Sequence, residues 1–270
     1  VPTEDEKGVE GVFAGVLEAV KELGPQSLLG VGVGIAGQID ADKGLLVYSP
    51  NMPKLTHVDI KAQLNSIMKK LDLEENLAIK VDNDANAFAL AEHHIGAAKD
   101  FKDVVVLTLG TGVGGGLIVD KQLYHGQSFA SELGHMVVEV NGRRCSCNLL
   151  GHLEAYSSGT SIEKMYNEET GITKDALEIE KEAQADPQSQ GAKVYQKAGE
   201  YLGFGLASLV NILDPEIIVL GGGIGRSDLI YQVASKICQQ NIFFQDRKVN
   251  IVKSELSNDA AIIGAAMLVI

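Results

Sequence analysis

The chain has 270 residues, a formal net charge of −13 and 45% hydrophobic residues, enough apolar material for one large domain or two of medium size. The acidic balance argues against nucleic acid as a main partner, because phosphate binding needs basic patches. Three cysteines, two of them in one C-x-C, make no secreted disulfide framework and fit a reducing, cytoplasmic compartment. No apolar run is long enough to cross a membrane and no signal peptide opens at Val1; its position without a preceding methionine leads us to expect further sequence upstream.

Apolar residues recur at helical spacing from Val9 to Leu23, and Gly24-Pro25 ends that helix. Leu28 to Ile35 reads as a buried strand whose alternating glycines let another backbone pass close. Ala36-Gly37-Gln38 makes a turn, Gly44 to Tyr48 a short strand, and SPNMP, which contains Asn51, a rigid loop. Asp59 heads a helix running to Leu71, and Leu77 to Val81 is the next strand. At VDNDAN that strand gives way at once to a helix. Asn83 and Asp84 there either cap the helix or occupy the carboxyl end of a strand, where α/β folds hold ligands; the sequence leaves both open.

Val104 to Leu109 is a β-branched strand, followed by LGTGVGGGLIV. Gly110, Gly112 and Gly115 match G-x-G-x-x-G, but that fingerprint opens a helix, whereas Leu117 to Val119 reads as a returning strand. The segment is therefore a glycine-rich hairpin, either an N–H nest for phosphate oxygens or a plain tight turn. Thr160 to Thr170 is predicted helical, residues 171–190 are polar with one short helix, and a long helix spans Gln190 to Leu213, with Gly199, Gly203, Gly205 and Ala207 on tightly packed faces. EIIVLGGGIG then gives a buried strand, a glycine turn suited to a nucleotide, and a helix starting near Ser227. A strand from Val249 to Lys253 and a helix from Asp259 to Ile270 close the chain. Helices alternating with strands, interrupted by hairpins, give an α/β fold with a mixed sheet in two lobes. Residues 1–95 with 258–270 read as the smaller lobe and 96–257 as the larger, with a ligand cleft between them.

The chemistry gathers between Ser131 and Glu154, in SELGHMVVEVNGRRCSCNLLGHLE. His135, Cys145, Cys147 and His152 supply two imidazoles and two thiolates, the set zinc takes in a closed tetrahedral site. Glu132 and Glu154 flank the four, so a metal-shaped loop would present carboxylates to a small polar substrate.

LGTGVGGG, ELGH, C-x-C-N-x-x-G-H-x-E and LGGGI, in this order, resemble the ROK family of repressors, open reading frames and sugar kinases over nearly the whole chain. The resemblance implies a two-lobed actin-like, ribonuclease-H-like (ASKHA) fold and glucokinase-like, ATP-dependent phosphorylation of a hexose by a homodimer. Carried over by position, it makes Asp84 the general base that takes the sugar hydroxyl's proton. Gly37, Asn51, Asn83, Glu132, His135 and Glu154 correspond to sugar binders, Thr111, Gly112, Gly114 and Gly115 to the second phosphate loop, and Gly222 and Gly223 to the adenosine site. Magnesium would arrive with ATP.

Two departures stand out. The family's C-x-C-G-x-x-G-C-x-E carries Asn148 and His152 here, and histidine is itself a good zinc ligand. The family's opening D-x-G-G-T hairpin is absent from the chain; Val1 aligns just after it, which places that hairpin among the expected upstream residues. Two other functions fit the resemblance: a sugar-sensing transcriptional regulator and a sugar-binding module without catalysis.

Overall fold

The computed structural model describes residues 4–24, 28–73, 77–256 and 259–270; Val1 and Pro25 lie outside them. In chain order the elements are α1 (Gly8–Leu23), β1 (Gly30–Ile35), β2 (Gln38–Asp40), β3 (Leu45–Tyr48), β4 (Val58–Asp59), α2 (Ile60–Lys70), β5 (Ala78–Asn83) and α3 (Asp84–Ile95). The hairpin strands β6 (Val104–Leu109) and β7 (Val113–Val119) follow, then β8 (Gln122–Leu123), α4 (Glu154–Ser157), α5 (Gly159–Thr170), α6 (Ala176–Ala185) and α7 (Gln190–Leu213). Last come β9 (Ile217–Gly221), α8 (Gly222–Gly225), α9 (Asp228–Asn241), β10 (Ile251–Lys253) and α10 (Ala260–Met267). The class is α/β, as expected. Where the sequence predicts a plain glycine turn after β9, Gly222–Gly225 wind into one helical turn, since Gly222 takes a φ of 78° that reverses the chain straight out of the strand.

Contacts divide the chain into two compact units: Val1–Ala91 with His125–Ala130 and Asp259–Ile270, and Glu92–Tyr124 with Ser131–Asn258. His125–Ala130 group with the first unit although residues of the second flank them in sequence.

In the first unit β1 runs parallel to β5, from Gly30 opposite Ala78 to Ile35 opposite Asn83. A three-stranded antiparallel sheet, β2-β3-β4, lies beside this pair in the chain order, and Phe13, Leu46, Leu64, Ile79 and Val81 are buried in one cluster. The alternating glycines of β1 have the predicted cause. A Cβ on Gly32 would lie 1.7 Å from the carbonyl oxygen of Ala265, so only glycine lets α10 pack on this strand. Gly264 repeats the device against α3, where a Cβ would meet the Ala87 carbonyl at 1.6 Å.

The second unit is built on a five-stranded mixed sheet of order β10-β9-β6-β7-β8. β9 is parallel to both β10 and β6, and β6 is antiparallel to β7. Val105, Leu107, Ile218 and Leu220 from the sheet join Leu202 and Leu206 of α7 in its core, each fully buried Leu or Ile contributing about 1.5–3 kcal/mol. The small residues of α7 admit α9: Cβ atoms on Gly199 and Gly203 would fall 2.7 Å and 2.6 Å from Val233 and Ile237.

Candidate functional site

In the first unit, β5 ends at Asn83 and α3 starts at Asp84, so no loop residue separates them and Asn83 serves as the cap. Its Oδ1 accepts the N–H groups of Ala85 at 2.8 Å and Asn86 at 3.3 Å, and its Nδ2 donates to the Gly37 carbonyl at 2.9 Å. Both acceptor directions of the side chain are thus engaged, and one amide proton remains to offer. Gly37 has a φ of 140° and no room for a Cβ, which would lie 2.3 Å from the Tyr48 carbonyl oxygen. Of the two roles the sequence left open, capping falls to Asn83. Asp84 keeps a solvent-exposed face while its Oδ1 accepts the Ala85 N–H at 3.0 Å. The surrounding protein, by withdrawing water from much of its environment, raises its carboxyl above the usual range, and the Ala85 N–H opposes that rise. Asn51 lies exposed in its loop.

Beneath Asp84 lies a group that sequence reasoning missed. Asp82 is buried, and its Oδ1 accepts the Asn83 N–H at 2.7 Å and the Asn86 side-chain amide at 2.8 Å. Its Oδ2 sits 2.6 Å from Nε2 of His125. A histidine 43 residues downstream gives no sequence signal of this pairing.

In the second unit the β6–β7 register, with Leu109 opposite Val113, leaves Gly110, Thr111 and Gly112 as the hairpin connection; Thr111 is exposed. Gly114 and Gly115 belong to the ladder, opposite Thr108 and Leu107. The ELGH segment folds as a 3-10 turn over Leu133–His135 and packs on this hairpin. Cβ atoms on Gly134 and Gly115 would fall 2.1 Å from the Val113 carbonyl oxygen and 2.5 Å from Leu133. Glu154, the first residue of α4, ties the hairpin to the cysteine loop. One carboxylate oxygen accepts the Val113 N–H at 3.0 Å, and the other accepts the Ser146 hydroxyl and lies 3.4 Å from the Cys145 sulfur. α5 starts against the hairpin, with the Gly159 N–H donating to the Gly110 carbonyl at 2.7 Å. A Cβ on Gly222 would lie 2.3 Å from the Leu109 carbonyl oxygen, whereas Gly223 has nothing within 4 Å of that position. Backbone from three glycine segments therefore meets around Leu109 and Gly110; of these, Gly159 was not singled out from sequence.

The ligand atoms of His135, Cys145, Cys147 and His152 all lie within 4.8 Å of one another. Nδ1 of His135 is 3.3 Å from Nδ1 of His152 and 3.6 Å from Sγ of Cys145, and Nδ1 of His152 is 3.2 Å from Sγ of Cys147. A tetrahedral ion with Zn–S of about 2.3 Å and Zn–N of about 2.0–2.1 Å sets its nitrogens about 3.3 Å apart and a nitrogen–sulfur edge at about 3.5 Å. These three edges match a tetrahedral zinc to within a few tenths of an ångström, and the donor set of two imidazoles and two thiols suits that ion. The replacement residues hold the loop's shape: Asn148 adopts a left-handed φ of 70°, which asparagine tolerates, and His152 is buried. Burial and the neighbouring His135 lower the His152 pKa and favour the neutral ring a metal requires. Burial pushes the Cys145 thiol up to about 11, so capture of a cation there releases a proton. While His135 turns Nδ1 toward the other donors, its Nε2 lies 3.8 Å from a Glu132 carboxylate oxygen. One ring thus spans the cysteine loop and the flanking acid. Behind the loop, Tyr156 and Tyr201 stack with centroids 3.8 Å apart, and both hydroxyls donate to Glu139. The third cysteine, Cys238, is buried in α9, apart from this group.

The structure therefore brings together Gly37, Asn83 and Asp84 in the first unit. In the second it gathers Glu132, His135, Glu154, the hairpin glycines and the four candidate metal ligands.

Comparison with known proteins agrees with the sequence resemblance. The model of the ROK family matches residues 1–270. The chain is 32% identical to a glucokinase from Thermotoga maritima, over 98% of this chain and 86% of that protein. It is 30% identical to a putative xylose repressor from a Caldicellulosiruptor species, over 98% of this chain and 69% of that one. A crystal structure of a ROK family glucokinase from Streptomyces griseus in complex with glucose and AMPPNP superposes with a TM-score of 0.81 at 26% identity, covering 96% of this chain and 88% of that one. The fold is the actin-like one of the ROK sugar kinases.

Proposed function

The chain belongs to the ROK family, and on that premise we propose that it is a sugar kinase transferring the γ-phosphoryl group of ATP to a hydroxyl of a hexose. The observation that carries this reading is Asp84: a carboxylate with an exposed face at the start of α3, its backbone pinned by the Asn83 cap and the Asn83–Gly37 hydrogen bond. In that role it accepts the proton of the attacking hydroxyl as the bond to phosphorus forms, the one covalent task phosphoryl transfer leaves to the protein. Asn83, through its remaining amide proton, and Gly37, Asn51, Glu132, His135 and Glu154 orient the sugar. Thr111, Gly112, Gly114 and Gly115 serve the phosphates, where magnesium bound to ATP shares their charge, and Gly222 and Gly223 serve the adenosine.

Zinc at His135, Cys145, Cys147 and His152 would be structural, fixing the His135 ring so that its other nitrogen meets the substrate. The reading further places a homodimer in the cytoplasm, with residues 1–95 and 258–270 as the small lobe and 96–257 as the large one. The repressor relative favours a second reading, a sugar-sensing regulator, but the net charge of −13 weighs against DNA contact by this chain. Release of ADP from ATP by the purified protein, measured with glucose, fructose, mannose, N-acetylglucosamine and N-acetylmannosamine, separates the two. The kinase reading expects turnover dependent on at least one hexose; ADP release that ignores every sugar removes it.

A further inference from the structure

The segment His125–Ala130 leaves β8, groups with the first unit, and leads directly into the ELGH turn. His125 organises it at both ends of the residue. Its carbonyl accepts the N–H groups of Ser128 at 2.9 Å and Ala130 at 3.1 Å, which folds the segment into a compact strap. Its imidazole meets Asp82, with Nε2 and Oδ2 2.6 Å apart. Ser128 and Ser131 hold φ values of 89° and 72°, strained for residues with a side chain, and such backbone persists only where its surroundings fix it. Asp82 is buried, and its other oxygen receives the Asn83 N–H and the Asn86 amide. The strap's anchor and the residues that carry Asp84 thus share one carboxylate.

We propose that His125 is a positioning residue for phosphoryl transfer: through Asp82 it fixes the Asn83–Asp84 junction, and through its own carbonyl it holds the strap folded beside that junction's carboxylate partner. The proposal rests on the kinase reading of the preceding subsection. Two acidic groups face the ring, Asp82 on β5 and Asp42 in the β2–β3 turn, and the hydrogen bond to Asp82 is the main cause of the raised His125 pKa, burial opposing it. A raised histidine pKa means that the imidazolium persists to higher pH here than in a free histidine. The charge-assisted bond weakens as pH rises through the folded-state value, leaving at most a neutral N–H donor on Asp82.

The test compares the parent with His125→Gln, His125→Arg and Asp82→Asn, in two measurements. The first is kcat against pH from 6 to 10 with a hexose the parent turns over. We expect kcat of the parent to decline on the alkaline side and kcat of His125→Gln to fall about tenfold at neutral pH. The Gln variant should show no alkaline decline from this group, and KM for ATP should stay within about twofold. His125→Arg, which keeps a cation at every pH, should recover most of the neutral-pH kcat and hold it to higher pH, while Asp82→Asn should move the decline to lower pH. The second is amide hydrogen exchange of residues 125–130, which should speed up in His125→Gln and, in the parent, as pH rises beyond the intrinsic base catalysis of exchange. A Gln variant with parental kcat, parental pH profile and a protected strap overturns the positioning role while leaving the kinase reading intact. A parent that phosphorylates no hexose overturns both, and the two failures are thereby distinguishable.

Discussion

Removing one sulfur from the cysteine loop, by Cys147→Ser, should unravel the loop without unfolding the unit that carries it. The thirteen residues from Glu139 to Gly151 hold one buried side chain, Cys145, and five backbone hydrogen bonds join residues within the segment, among them Gly151 N–H to Arg143 at 2.8 Å and Cys145 N–H to Leu149 at 2.9 Å. Fixing that many residues costs at least about 13 kcal/mol of backbone entropy, and the five backbone hydrogen bonds return a net of about 5 kcal/mol. Side-chain bonds of Glu139, Arg143, Arg144 and Ser146 return about as much again, which leaves the loop near balance, so the roughly 10–16 kcal/mol that structural zinc supplies in small zinc-binding peptides decides whether it is ordered. The main apolar core of the sheet and α7 contains no residue of the loop, so it should survive loss of the ion. Arg143 and Arg144 sit within the segment and make trypsin a direct probe. The parent should contain about one zinc per chain and resist cleavage there. Cys147→Ser, or the parent after chelation, should lose the zinc and be cut at Arg143 and Arg144 while its far-ultraviolet circular dichroism stays near parental. Equal zinc in the two proteins, or a loop that resists trypsin after chelation, would refute the reasoning.

Other outcomes follow from individual contacts. Asp84→Asn should lower kcat by about 10²–10⁴-fold with sugar affinity and thermal stability near parental, checked by steady-state kinetics, calorimetry and melting. Because the Asp84 carboxyl is raised, the base is lost to protonation at a higher pH than an ordinary aspartate would be, and the acid limb of kcat should shift upward accordingly; a limb in the usual aspartate range contradicts this. Gly222→Ala should destabilise the protein, since its Cβ would meet the Leu109 carbonyl oxygen at 2.3 Å, while Gly223→Ala, with open space around it, should leave the melting temperature unchanged and raise KM for ATP. Gly264→Ala drives a Cβ to 1.6 Å from the Ala87 carbonyl oxygen, where backbone rather than a flexible side chain must yield; the loss should reach or exceed the roughly 1–3 kcal/mol of ordinary overpacking, read from denaturant unfolding.

Much of this architecture was legible because local chemistry and global fold agree. The long helix from Gln190 to Leu213 could be read residue by residue, since its apolar repeat is unbroken and Asp214-Pro215 ends it. The glycines of β1 announced a close backbone, and the loop's four ligands stood within eighteen residues of one another. Other features had no local signature. Pairing of Asp82 with His125 and of Glu154 with the Val113 N–H joins positions 43 and 41 residues apart. A tertiary contact leaves no periodicity to read. The roles of Asn83 and Asp84 could not be separated from sequence because a cap and a ligand call for the same residue types; the Gly37 carbonyl, brought alongside by β1 pairing with β5, is what commits Asn83 to the junction. Gly115 corresponds to a phosphate-loop glycine in sequence, yet the packing of ELGH on the hairpin also demands glycine there, since a Cβ would lie 2.5 Å from Leu133.

The most direct test of the account follows the phosphorus itself. ATP labelled at the γ-position is incubated with the purified protein and each hexose in turn, and the products are separated. The account predicts label on one or more sugars with the parent, and label slowed by at least about a hundredfold with Asp84→Asn. Label reaching no sugar with the parent, or reaching it at a parental rate with the variant, would contradict it.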